Sequence, residues 1–327
     1  MRAQIIANLQ FLKIQQKNKG KQIQDNLRLS NSKSIVEDHF LNDGTFYRDL
    51  GKIKCDQLLE NPYVYSLKEN IYSEEGIEPF LELHSGMIQN LTRCLWFVKD
   101  NSVNANVVNI LLPDQKEVFY KTRYAFFSNA SGKYQETTFS DQEIDKAVSL
   151  DSTILDKYFL PIELETKNLE GQFEAFPNPM SSVPYNQYNR VARAIRFIDL
   201  ARSQDFLPLK ISFYIACLES LLTTDNTGVS HKVTERAVLM LAGDFEEKQK
   251  NFKLIKKAYS IRSDYLHGQK LGSKKEKKDS IENLEDISIK TDEIVRKLML
   301  LILNEYSDIF LQDDNKLNDF FTKLLLK

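Results

Sequence analysis

Tyr259-Ser260-Ile261-Arg262-Ser263-Asp264-Tyr265-Leu266-His267-Gly268 is the stretch around which the rest of the chain is organised. Read as a helix, five residues turn the chain roughly 140° beyond a full turn, so Arg262 and His267 do not share one stripe, but a long arginine reaches round. Ser263 and His267, four apart, share a face, and Tyr259 lies one turn earlier on it. A Ser263 hydroxyl is therefore placed to orient the imidazole. Gly268 suits the position just past a helix end. That places His267 in the last turn, where positive charge is favoured.

The chemistry of the pair follows from the residue types. Histidine exchanges a proton near neutral pH. Arginine grips a phosphate and stabilises added negative charge. Together they suffice for cleavage of RNA by its own 2′-hydroxyl: one group removes the 2′ proton, another protonates the leaving 5′ oxygen, and a cation holds the phosphorus oxygens. The chemistry asks for no metal, and DNA, lacking the 2′-hydroxyl, is not a substrate. The bland alternative is that Arg262 pairs with Asp264 or Glu219 and His267 merely closes a helix end.

The Tyr-x-x-Arg-Ser-x-x-x-His-Gly setting resembles the signature of HEPN domains, most of all the ApeA-like group. Leu218-Glu219-Ser220-Leu221-Leu222 resembles that family's Glu-bearing helix, and Val233-Thr234-Glu235-Arg236-Ala237-Val238-Leu239-Met240-Leu241 its Arg-x-Ala helix. The resemblance covers about residues 185–310. It implies an all-α bundle that dimerises so that two Arg/His pairs face each other across a two-fold axis, which resolves how one site supplies both a base and an acid. It also implies an endoribonuclease with an RNA substrate, acting as a toxin or anti-phage effector under a phage-derived or protein trigger. Arg262 and His267 are then catalytic, with Ser263, Asp264, Tyr259, Glu219 and Arg236 in support. Glu219 and Arg236 are expected as buried network residues that position the motif helix. Ser263 departs from the family's usual Asn, Asp or His, and Gln269 stands where one HEPN subgroup carries a modifiable Tyr. A non-catalytic HEPN module binding a nucleotide, RNA or a protein partner is the alternative, and a plain structural bundle is the third.

The bulk numbers limit the rest. A chain of 327 residues suggests about two domains. With 42% hydrophobic and 28% charged residues it can bury a sizeable core. A net charge of −2, from 44 basic and 46 acidic residues, leaves nucleic-acid contact to a local patch. Cys55, Cys94 and Cys217, with His39, His84, His231 and His267, are scattered. They suggest neither a disulfide framework nor a metal set, hence no cofactor and a reducing cytoplasm. No signal-peptide core and no apolar run of about 20 residues appears, so no membrane association is expected.

The expected fold class is α+β, with a mixed N-terminal domain over 1–160, a Pro-rich linker over 161–187 and a helical domain over 188–327. Residues 1–36 show only a partial helical stripe through Ile5, Leu9, Leu12 and Ile14, and read equally as a solvated segment. Residues 37–75 show no period. A helix is predicted from Pro79 to Asp100. Strands follow at Val107–Leu112 and Val118–Phe127, with Tyr134–Phe139 as a returning partner. The Val118–Phe127 aromatics suit a sheet core or stacked bases. Ser140-Asp141-Gln142-Glu143 is a capping box whose helix should break near Ser149–Ser152. Pro161, Pro177, Pro179 and Pro184 mark the linker. Helices are then expected from Tyr188, from Pro208, over Ser230–Leu241, through the motif, and over 281–310, with an amphipathic tail over Leu317–Leu326. The helix from Pro208 is apolar nearly all round and should be central. Arg190, Arg193, Arg196 and Arg202 form a basic face that suits phosphate contact or simple solvation.

Overall fold

The structure is a computed structural model that describes residues 1–24, 26–70, 76–123, 126–158, 187–241, 243–271 and 280–326. It is α+β: a six-stranded antiparallel sheet with helices in the N-terminal half and a helical bundle in the C-terminal half. Strands β1 (Arg2–Asn8), β2 (Leu12–Ile14), β3 (Lys21–Gln24), β4 (Leu27–Ser30), β5 (Tyr63–Asn70), β6 (Val107–Leu112) and β7 (Glu117–Thr122) precede the short β8 (Thr137–Phe139). The main sheet runs β3-β4-β5-β1-β6-β7, and β2 pairs with β8 separately.

Up to Ser30 the chain thus contributes β1 to β4, and the stripe through Ile5, Leu9, Leu12 and Ile14 is neither a helix nor a solvated segment. β1 lies at the centre of the sheet, flanked antiparallel by β5 and β6. Ile5 and Ala7 face one apolar cluster and Ile6 the other, and all three are wholly buried. A strand covered on both faces reads as an apolar run, without the alternation that betrays a half-exposed strand. The second cover comes from α1 (Lys33–His39), α2 (Thr45–Leu50) and α3 (Lys52–Glu60), which with β5 occupy most of the described part of the stretch that showed no period. Val36, Phe40, Phe46, Cys55 and Leu58 pack there on Ile6, Tyr63 and Leu111.

The long helix α4 (Ile77–Val98) lies where Pro79 and the apolar stripe predicted it. It covers the other face of the sheet and carries Trp96 and Arg93 to the bundle. The Ser140 capping box closes as expected, with Ser140 N–H donating to Glu143 Oε2 at 2.8 Å and Glu143 N–H to Ser140 Oγ at 3.3 Å. It opens α5 (Asp141–Tyr158), which runs without the expected break at 149–152. Two expectations for the strands fail in detail. β7 ends at Thr122, and β8 pairs in parallel with β2 rather than returning against β7. A turn at Asn129–Lys133, closed by Asn129 N–H donating to Lys133 O and Gly132 N–H to Asn129 O, both at 2.9 Å, precedes β8. The Pro-rich stretch over 161–186 and the Lys-rich loop over 274–279 lie outside the described residues.

The bundle comprises α6 (Arg190–Arg202), α7 (Leu207–Leu222), α8 (Val229–Met240), α9 (Phe245–Leu266) and α10 (Ile281–Glu305), followed by α11 (Ser307–Phe310) and α12 (Asp314–Leu325). The apolar helix α7 is central, touching α6, α8, α9 and α10. Its Ile211, Tyr214, Ile215, Leu218, Leu221 and Leu222 are fully buried. The tail helix α12 packs back through Leu317 and Phe321. One apolar cluster runs from the sheet through α4 into the bundle, so the two halves share a core. Among the described residues no helix is long and apolar enough to cross a membrane.

Candidate functional site

The motif helix α9 begins at Asp244, whose carboxylate accepts from Glu247 N–H at 2.9 Å, with Glu246 and Glu247 in the first turn. Ile255, Ala258, Tyr259 and Ile261 recur at helical spacing and bury its inner face. Its other end is closed as a Schellman motif. Gln269 N–H donates to Asp264 O at 2.7 Å and Gly268 N–H to Tyr265 O at 3.1 Å. Gly268 sits at φ +66°, a left-handed conformation that suits a residue without Cβ. His267 is thereby the capping residue itself, exposed at the tip of the helix.

Arg262 lies on the same helix end, half-buried, and Nη1 donates to Glu219 Oε1 of α7 at 2.9 Å. Of the two partners weighed from sequence, Glu219 is the one taken, and Asp264 offers Arg262 none. A guanidinium has five N–H donors. Among the described residues the Arg262 guanidinium makes one hydrogen bond, that to Glu219, and the side chain is 29% exposed, so donors are left for a further partner. Burial raises the Glu219 pKa from its ordinary value, against the pull of Arg262. The Tyr259 hydroxyl is buried beside this carboxylate without closing a hydrogen bond of ordinary length. Burial, reinforced by Glu219, holds its pKa above the usual tyrosine value. Tyr259, Glu219 and Arg262 thus form a triplet, from buried phenol to a half-buried carboxylate and guanidinium.

The remaining expected residues divide. Ser263 is exposed, and its contact with His267 is only the backbone bond from His267 N–H to Ser263 O at 3.0 Å, so its hydroxyl does not orient the ring. Asp264 contributes its carbonyl to the helix end. Arg236 is a buried network residue, but it does not steer the motif helix. Its guanidinium donates to Leu222 O at 2.6 Å, Thr224 Oγ1 at 3.0 Å and Asn318 Oδ1 at 2.7 Å, and lies over the Phe321 ring. It therefore ties the end of α7 to the tail helix. Of the basic face on α6, Arg190 is 7% exposed and bonded to Leu221 O, Thr223 O and Asp314. Arg202 is fully buried, with its guanidinium over Phe127. Neither is open to a phosphate. Arg193 and Arg196 stay half-buried: Arg193 donates to Tyr188 O at 2.5 Å and Arg196 lies 3.7 Å from the centre of the Tyr188 ring.

Sequence reasoning passed over two residues beside the site. Phe206, 54% exposed, and Tyr265 bring their rings to 5.6 Å at a tilt of 58°. The signal was present: an aromatic at the N-cap of α7, where Ser, Thr, Asp or Asn is favoured. Among the described residues no His, Cys, Asp and Glu side chains group in a way that could hold a metal ion. Comparison with protein-family models, with curated proteins and with solved structures gives no significant match for this chain.

Proposed function

We propose that this chain is a metal-independent endoribonuclease of HEPN type, cutting RNA by attack of the 2′-hydroxyl on the adjacent phosphate. The observation that supports it most is the placing near one helix end of an exposed imidazole, His267, and of Arg262, a half-buried guanidinium anchored by Glu219 at 2.9 Å with donors left over. An anchored arginine meets a phosphate with less loss of side-chain freedom than a free one. In the reaction the 2′ oxygen bonds to phosphorus as its proton passes to one His267. The P–O5′ bond then breaks and the leaving oxygen takes a proton from a second imidazole. The products are a 2′,3′-cyclic phosphate and a 5′-hydroxyl. A homodimer through the bundle supplies the second imidazole, and the Arg262 guanidiniums stabilise the charge that builds on the phosphorus oxygens. The resemblance places such an enzyme in a bacterial cytoplasm as a toxin or anti-phage effector, with the sheet-containing half receiving the trigger or holding the substrate.

One observation favours a rival. Glu219 already neutralises one edge of Arg262, as it would in a pair that merely ties α7 to α9. The rival is a non-catalytic HEPN module that binds a nucleotide, RNA or a protein partner. Purified protein incubated with total RNA in EDTA, beside His267→Ala, separates the two. Cleavage with 2′,3′-cyclic phosphate ends, reduced by about 10²–10⁴ in the variant, is expected for the enzyme. Binding without cleavage selects the rival, and cleavage untouched by the substitution removes His267 from the reaction.

A further inference from the structure

The junction between the two halves carries aromatic rings that stay partly open to solvent. At the N-cap of α7, Phe206 makes no capping bond and leaves its ring 54% exposed. Its neighbour Tyr265 follows Arg262 by three residues on α9, hence on the same side of the helix and about 4.5 Å further along it. From the N-terminal half, the Asn129–Lys133 turn presses on the same spot. Gly132, at φ +76°, lies so near that a Cβ built on it would sit 2.5 Å from Asp205 O. The turn is pinned by Ser128, whose N–H donates to Arg202 O at 2.7 Å, and by Ser288 Oγ donating to Ala130 O at 2.5 Å. Tyr134, the next residue after the turn, is 42% exposed.

We propose that Phe206 and Tyr265 form a stacking platform for unpaired nucleobases of the strand whose phosphate lies at Arg262 and His267. The proposal rests on the ribonuclease reading and narrows its substrate to single-stranded RNA. An exposed Phe206 ring and a half-buried Tyr265 ring beside a guanidinium match the two parts of a single strand: bases with free faces and a negative backbone. A duplex offers only the backbone, because its base faces are stacked on each other. Stacking of this kind is tolerant of sequence, so single-strandedness rather than base identity is what the platform selects.

The test uses the full chain and a fluorescent RNA strand methylated on every 2′-oxygen, which removes the nucleophile and lets binding be read without cleavage. Anisotropy is expected to show Phe206→Ala weakening the single strand about tenfold, with Phe206→Trp restoring it. The same strand annealed to its complement should bind wild type and Phe206→Ala alike, and more weakly than the single strand binds wild type. Circular dichroism confirms that the exposed-site variant is folded. Unchanged affinity in Phe206→Ala, equal binding of duplex and single strand, or no binding at all overturns the platform. So does a Phe206→Ala chain that loses self-association but keeps its RNA affinity, since the rings would then be a protein interface. A chain that binds the methylated strand through Phe206 yet leaves unmodified RNA intact keeps the platform and overturns the nuclease, so the two failures are distinguishable.

Discussion

Two of the arginine–carboxylate pairs that join elements of this molecule differ in what they leave over. Where α4 meets α6, Arg93 lies 6% exposed and grips Asp199 with two bonds, Nε at 3.0 Å and Nη2 at 2.7 Å, while Nη1 donates to Asn90. Nearby, Asp292 is fully buried and accepts from Trp96 Nε1 at 2.9 Å and Tyr214 Oη at 2.8 Å. Where α7 meets α9, Arg262 and Glu219 share one bond, with side chains 29% and 22% exposed. The first arrangement has its donors committed to holding the two halves together. The second is anchored but unsaturated, and only the second can take up a ligand without dismantling the core.

The largest expected effect lies at the saturated pair. Asp199→Ala strands the buried Arg93 charge and should cost about 3–5 kcal/mol in urea unfolding; a loss under about 1 kcal/mol would erase the contrast. Next comes Arg262→Ala, expected to lower RNA cleavage by about 10²–10³ while moving stability by no more than about 1 kcal/mol. Unfolding of this variant comparable to that of Asp199→Ala would make Arg262 a structural residue.

A pH experiment sharpens the same contrast. Burial pushes the Asp151 carboxyl up to about 6, against its bond from Asn90 and the nearby Arg93. Its folded pKa therefore lies above its unfolded one. Between about pH 4 and 6 the folded chain keeps a proton that the unfolded chain releases, so this group's contribution falls as pH rises through that window. Asp151→Asn should remove that fall, leaving stability unchanged near pH 4 and higher by about 1–3 kcal/mol at pH 7. Parallel stability curves for the variant and wild type across the window would contradict it. The smallest effect is expected from Glu219→Gln, within about 1 kcal/mol, because the amide still accepts from Arg262 and no longer carries a partly desolvated charge. Thermal denaturation of this variant beside Asp199→Ala is the direct comparison of the two pairs.

Much of this was legible beforehand wherever the signal is local. The Ser140–Glu143 capping box, Pro79 at the start of α4 and Gly268 at the end of α9 each act through atoms a few residues apart, and each appears where expected. The N-terminal sheet was not legible. Its central strand is covered by helices distant in sequence, and the double cover erases the alternation that marks a strand. The basic face of α6 was seen as a face, but its accessibility was not. Arg190 is closed off by the end of α7 and by Asp314 of the tail, which lies 124 residues away.

The sequence by itself determined the helix that carries Arg262 and His267 and the glycine that ends it, because capping and helical periodicity are short-range. The partner of Arg262 was decided by the tertiary structure, since the packing of α7 on α9 brings Glu219, 43 residues earlier, within hydrogen-bond reach and leaves Asp264 without that role. Packing likewise committed Arg190, Arg202 and Arg236 to internal bonds and left Phe206 and Tyr265 uncovered beside the motif. Whether a polar or aromatic side chain meets solvent depends on which distant element is packed over it, and no short stretch of sequence contains that information.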